Sequence, residues 1–241
     1  MLLFRAGTLL GILLFSACSH NEAVPVPPGS GEPPVIQDPK TYTLLALGDS
    51  YTVGEAVPVA ESFPYQLRTR LKENGQTLAI PKVVARTGWT TDELLDGIRL
   101  EALKDTFSVV TLLIGVNNQY RSGSPDEYRK EFRELLLQAI GFAGGNKQHV
   151  FVLSIPDWGV TPYARQSGRN PATIAAQIDA FNAINQQETR MAGVSYTDIT
   201  PGSREATNDP SLIAGDGLHP SGKMYGEWIK LLLPKVTVVL K

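Results

Sequence analysis

Five short apolar runs rich in β-branched residues, Thr43 to Leu47, Lys82 to Ala85, Ser108 to Ile114, His149 to Ile155 and Val194 to Ile199, constrain the fold more than any other feature. Runs that are apolar throughout, rather than alternating, suit strands covered on both faces, the condition of a parallel sheet. Between them apolar residues recur at helical spacing over Glu61 to Asn74, Thr91 to Lys104, Pro125 to Phe142 and Pro171 to Met191. Pro125 and Pro171 suit first-turn positions, with Ser124 and Asn170 as caps. A last helix is expected after Pro220, running through Trp228 to about Leu233. Strand and helix alternating with crossovers of this length predict an α/β protein, a three-layer α/β/α sandwich around a five-stranded parallel sheet.

With 241 residues, 42% of them hydrophobic, the chain can bury one substantial core and needs no second domain. Its 22 basic and 24 acidic residues leave a formal net charge of -2 with no long basic run, so nucleic acid is not an expected partner. Cys18 is the only cysteine, which excludes an intrachain disulfide, a cysteine-based zinc cluster and a core thiol nucleophile. Neither a metal nor an organic cofactor is expected. Oligomeric state is not encoded in any feature of the sequence.

The first apolar run ends in Leu47-Gly48-Asp49-Ser50, and a distant Asp216-Gly217-Leu218-His219 carries what a serine there would need. A serine hydroxyl is a weak nucleophile at neutral pH until a neighbouring base takes its proton. Of the three histidines, His20 falls in a proline-rich stretch and His149 just before a strand candidate, which leaves His219. Asp216, three residues earlier, can hold the imidazole in one tautomer and stabilise the imidazolium as it forms. Asp49 is assigned to the turn, because adjacent residues on a turn rarely point the same way. Glu55 either titrates in the cleft or simply begins a loop.

Two further segments fall at strand ends, where open α/β sheets bind ligands: Ala85-Arg86-Thr87-Gly88-Trp89-Thr90 and Ile114-Gly115-Val116-Asn117-Asn118. Taken alone, Gly88 reads as a turn glycine and Asn117 as a loop amide. Together with Gly48-Asp49-Ser50 and Asp216-x-x-His219, in that order, they resemble the four blocks of the SGNH hydrolases, also called the GDSL family, over roughly residues 42 to 235. Tyr51 stands where the family name has leucine, and Asn118 where many members have aspartate. The resemblance implies a flavodoxin-like strand order, a catalytic triad of Ser50, His219 and Asp216, and an oxyanion hole formed by the backbone N–H groups of Ser50 and Gly88 and the Asn117 amide. It also implies a serine esterase acting through an acyl-enzyme on a small-molecule, glycan or lipid ester. Short acyl, acetyl-like esters are the preferred reading. The alternatives are longer-chain lysophospholipid or thioester hydrolysis, or a surface binding module that kept the fold without the chemistry.

The long connection from Pro156 to Asn170, with Trp158, Tyr163, Arg165 and Arg169, can form part of the substrate pocket. Trp89 and Trp158 are pocket candidates that could equally pack, whereas Trp228 has helical spacing with Leu231 and Leu232 and belongs to the core.

Residues 1–17 carry Arg5, a short apolar stretch and small Ser16 and Ala17, the layout of an export signal. Cys18 directly follows. This resembles a bacterial lipoprotein signal, apart from Phe15 where leucine is preferred, and implies lipidation at Cys18 and anchorage in the cell envelope, with a secreted form as the alternative. Residues 18–40 are rich in proline and read as an extended tether, leaving 41–241 as the hydrolase domain.

Overall fold

The computed structural model describes residues 40–240. The export signal, Cys18 and all of the tether except Lys40 lie outside the described residues. Contacts divide the chain after Asp38, and the unit from Pro39 onwards carries the sheet and its helices.

Five strands, β1 (Leu44–Gly48), β2 (Lys82–Ala85), β3 (Val109–Leu113), β4 (Val150–Leu153) and β5 (Ser195–Thr197), form one sheet in the order β2-β1-β3-β4-β5. All neighbours run parallel, with Ala46 opposite both Val83 and Thr111. This is the flavodoxin-like order, whose direction of winding reverses between β1 and β3. Every residue of β1, β3 and β4 is buried, as continuous apolar runs between two helical layers demand.

Nine helices surround the sheet within the described residues: α1 (Ser50–Val53), α2 (Phe63–Glu73), α3 (Thr91–Glu101), α4 (Val116–Tyr120), α5 (Pro125–Phe142), α6 (Pro162–Gln166), α7 (Pro171–Ala192), α8 (Thr200–Arg204) and α9 (Gly222–Val239). Helices α2 and α9 pack on each other, while α3, α5 and α7 pack in a row. Right-handed crossovers require this split, because the chain steps one way from β1 to β2 and the other way thereafter.

The expected long helices are present, with ends set by local chemistry. Helix α2 starts at Phe63 rather than Glu61, with Pro64 in its first turn, where a missing N–H costs nothing. Helix α3 stops at Glu101 because Ala102 turns left-handed. Helix α7 ends at Gly193, also left-handed. The last helix runs six residues past the expected Leu233, through Pro234. An interior proline costs about 3 kcal/mol, but Val236 and Leu240 continue the buried face, and Gln76 Nε2 donates to the Thr237 carbonyl at 3.1 Å.

The four short helices α1, α4, α6 and α8 were not expected from periodicity. Two of them, α1 and α4, begin directly beyond β1 and β3 and carry the candidate nucleophile and the candidate asparagine.

Candidate active site

A strand that ends buried must turn sharply to present a side chain. Gly48 permits that turn after β1, since a Cβ there would sit 2.3 Å from the Leu113 carbonyl oxygen on β3. Asp49 then caps α1, its Oδ1 accepting the Tyr51 N–H at 3.0 Å. Ser50 is thereby fixed as the first residue of α1, where backbone N–H groups have no partner within the helix. Asp49 is fully buried and its Oδ2 has no hydrogen-bond partner. Burial pushes its carboxyl up to about 7, against the opposing pull of backbone N–H groups.

His219 belongs to a loop that closes on itself. Its carbonyl accepts the Ala214 N–H at 2.8 Å, and the Gly217 carbonyl accepts the Tyr163 N–H at 2.9 Å. Asp216 serves both the loop and the ring. Its Oδ1 accepts the Leu218 and His219 N–H groups at 2.9 and 3.0 Å, while its Oδ2 lies 2.5 Å from His219 Nδ1. Burial pushes the Asp216 carboxyl up, yet the hydrogen bonds from the His219 ring and the two backbone N–H groups outweigh it and hold the pKa below the ordinary value. An ionised acceptor at Nδ1 fixes the proton there and leaves Nε2 with its lone pair.

Beyond β3, Asn117 donates from Nδ2 to the Trp89 carbonyl at 2.9 Å, which spends one of its two amide hydrogens. Asn118, on the same helix, holds the start of α3: its Oδ1 accepts the Thr91 N–H at 3.1 Å and its Nδ2 donates to Thr91 Oγ1 at 2.7 Å. The loop after β2 is braced on several sides. Arg121 Nη2 donates to the Gly88 carbonyl at 2.7 Å, Thr87 hydrogen-bonds Glu55, and Glu93 accepts the Thr90 N–H at 2.8 Å. Gly88 has φ +89°, which glycine adopts without strain.

Ser50, Tyr51, Val116, Asn117, Tyr120, Trp158, Tyr163, Leu218 and His219 line a single cleft of about 140 Å³. Five of the sequence-derived candidates, Ser50, Asn117, His219, Trp158 and Tyr163, therefore share one cavity, with Asp216 behind His219. Gly88 is not part of the cleft wall and enters only through the loop that Asn117 grips at Trp89. Trp89 itself lies outside the cleft, its ring set against Gly97 of α3, where a Cβ would be 2.2 Å from Cη2. Trp158 is buried, with Nε1 donating to Gln119 Oε1 at 2.8 Å and its ring edge-to-face with Tyr120 at 5.4 Å. Glu55 is the brace on Thr87 rather than a cleft residue. His149 hydrogen-bonds the Ser108 carbonyl through Nδ1 at 2.7 Å, a structural role.

Val116, Tyr120 and Leu218 line the cleft without having been singled out from sequence. Val116 and Tyr120 are four residues apart, so they share a face once α4 is recognised as a helix. Among the described residues no group of three or more His, Cys, Asp or Glu side chains is placed to hold a metal, and no helix is long and apolar enough to cross a membrane.

Comparison with solved structures returns the same architecture. The chain is similar to TesA (16% identity, TM-score 0.63, covering 83% of this chain and 100% of that one) and to a lipase/acylhydrolase from Enterococcus faecalis (19%, 0.63, 83% and 97%). It is also similar to Axe2, an acetylxylan esterase from Geobacillus stearothermophilus (17%, 0.63, 81% and 94%). At these identities the likeness establishes the fold. No curated protein matches by sequence. The family model described as GDSL-like Lipase/Acylhydrolase matches residues 46–226, a span that runs from β1 into α9 and takes in every residue of the cleft. The chain thus belongs to the GDSL-like lipase/acylhydrolase family and is a hydrolase.

Proposed function

We propose that the protein is a serine esterase for short acyl esters, with Ser50 as nucleophile, His219 as base and Asp216 as the acid that orients it. The observation that carries the reading is the 2.5 Å contact between Asp216 Oδ2 and His219 Nδ1, on the far side of a ring that shares a cleft with Ser50. In the proposed cycle His219 Nε2 takes the Ser50 proton as the hydroxyl attacks the ester carbonyl. The tetrahedral oxyanion is met by the Ser50 N–H and by the second amide hydrogen of Asn117, while the Gly88 N–H, which the family resemblance adds to the hole, lies beyond the cleft wall on the loop that Asn117 grips. His219 then protonates the leaving alcohol and afterwards activates water to release the acyl group.

Cleft size favours a short acyl group. About 140 Å³ is small beside the ~300–1,000 Å³ of pockets that enclose drug-sized ligands. A cavity of this size, with Val116 and Leu218 in its lining, has room for an acetyl group, whereas a long chain would have to lie outside. The aromatic wall of Tyr120, Trp158 and Tyr163 supports a carbohydrate as the alcohol part, because flat rings match the apolar face of a pyranose. Lipidation at Cys18, with a proline-rich tether of residues 18–40, would hold such an enzyme at the cell envelope, within reach of surface glycans.

The test is hydrolysis of chromogenic esters with two, four, eight and twelve acyl carbons by the full chain and its Ser50→Ala variant. Turnover that falls with chain length and drops at least about 10⁴-fold in the variant is the expected result. A preference for eight or twelve carbons would replace the short-acyl reading with a lysophospholipase or thioesterase one, and Ser50-independent turnover would remove the nucleophile.

A further inference from the structure

The outer wall of the cleft carries a cation that no carboxylate among the described residues neutralises. Arg169 lies with its guanidinium carbon 4.3 Å from the centroid of the Tyr120 ring and 5.8 Å from that of Trp158. Its Nη1 donates to the Tyr120 carbonyl at 2.9 Å, which uses one of five N–H donors. Arg121, Arg129, Arg133 and Arg204 are each paired with a carboxylate, whereas Arg68, Arg86, Arg165, Arg169 and Arg190 are not, and of these Arg169 is the one stacked on aromatic rings among the described residues. The cleft and the neighbouring polar hollow, lined by Ser122, Asn170, Thr173 and Gln177 beside Arg169, contain no aspartate or glutamate. The path from the cleft to this hollow is thus free of acidic side chains and carries a stacked arginine at its rim.

Stacking on two rings removes much of the rotational freedom of a long side chain, so the free edge of the guanidinium is already oriented when a ligand arrives. A planar fork held in this way suits a carboxylate, which can take two parallel N–H bonds. The rings beside it, inclined to one another by 62° and 55°, add apolar surface. Tyr120 and Tyr163 join through their hydroxyls at 2.9 Å, and Trp158 and Tyr163 meet at 6.1 Å, so the surface is continuous from the cleft to Arg169.

From this arrangement we infer that Arg169 is a specificity-determining residue, forming with Tyr120 and Tyr163 a subsite for an acidic sugar whose carboxylate pairs with the guanidinium while its ester reaches Ser50. The inference rests on the esterase reading above for the ester and on the arginine's surroundings for the charge. The substrate class it names is an acylated glycan containing sugar acids.

The test compares two acetyl esters that differ only at C6, methyl glucuronide monoacetate with a carboxylate and methyl glucoside monoacetate with a hydroxymethyl group, as kcat/KM ratios for the full chain. The acidic member should be preferred about fivefold at low salt, and the preference should shrink towards one at about 1 M salt, where the screening length is about 3 Å. Arg169→Gln should bring the ratio to about one, and Arg169→Lys should restore part of it. A wild-type ratio of one, or a variant that slows both esters in parallel with the ratio intact, would overturn the inference and leave Arg169 as a clamp on its loop. An Arg169-dependent preference found with lysophosphatidate but not with the glucuronide would overturn the sugar in favour of a lipid headgroup. Failure of the esterase reading would look different, as no turnover even of 4-nitrophenyl acetate. Calorimetry of methyl glucuronide with the Ser50→Ala chain then reads the subsite alone: binding lost in Arg169→Gln supports it, and no binding overturns it.

Discussion

The two sides of the cleft are held in place by different physics. On the inner side, Ser50, Asn117 and His219 are fixed by hydrogen bonds that are buried or partly buried: Asp49 on the Tyr51 N–H, Asn117 on the Trp89 carbonyl, Asp216 on the His219 ring and backbone. On the outer side, Tyr163 and Arg169 belong to the connection between β4 and α7 and are held by ring contacts, cation stacking and exposed hydrogen bonds. Buried hydrogen bonds are directional and costly to break, whereas stacking tolerates displacement. The contrast separates a part built for atomic placement from one able to accept ligands of differing shape.

Breaking the inner side should therefore lower kcat far more than it raises KM. Asp216→Asn leaves a side chain of the same shape but removes the ionised acceptor that fixes the His219 tautomer. The expected loss in kcat is about 10⁴-fold, measured at the pH optimum of the parent. A variant whose KM rises while kcat holds would place Asp216 in substrate binding and collapse the division. Asn117→Ala sharpens the same comparison, with an expected loss of about 10² to 10³ in kcat. If its effect is below tenfold, the amide serves only to hold the Trp89 carbonyl.

The smallest effect on turnover, and the one that probes the scaffold beneath, is expected at Asp49. Its folded carboxyl titrates near 7, whereas an unfolded aspartate titrates near ~3.9. Between those values the folded chain retains a proton that the unfolded chain releases. Stability contributed by this group thus declines as pH rises from about 4 to about 7, by up to about 1.4 kcal/mol per pH unit, and is flat above. Asp49→Asn keeps an oxygen to accept the Tyr51 N–H and removes the titration. Denaturation of parent and variant at about pH 5 and about pH 8 should show the variant gaining relative stability at the higher pH. Parallel profiles would mean that the Asp49 carboxylate is ionised in both states.

Legibility in the sequence followed the size of the signal. The five strands were readable as continuous apolar runs, and the helices α3, α5 and α7 because each is long enough for its period to repeat and because Ser124, Pro125, Asn170 and Pro171 mark starts that the structure uses. The single-turn helices were not readable, since four or five residues cannot display a period of 3.6. That is why Val116 and Tyr120 were missed although Asn117 between them was found. The end of α9 was misplaced for a different reason. Proline is a sound local stop signal, and only tertiary burial of Val236 and Leu240 carries the helix past Pro234. Trp89 shows the same limit, because its choice between the cleft and Gly97 is decided by the position of α3 and not by its neighbours in the chain.

The loop that holds Asp216 and His219 has a consequence for how such a protein can change over time. Because the Ala214 N–H closes on the His219 carbonyl and the acid reaches the ring from within the same turn, the pair travels as a six-residue cassette. Insertions or deletions between α8 and Ala214 can reshape the surface before the cassette without altering the spacing of Asp216 and His219. The proposed acid and base are in this sense portable along the chain, and loop grafting ahead of Ala214 is a route to a reshaped surface that leaves Asp216 and His219 in register.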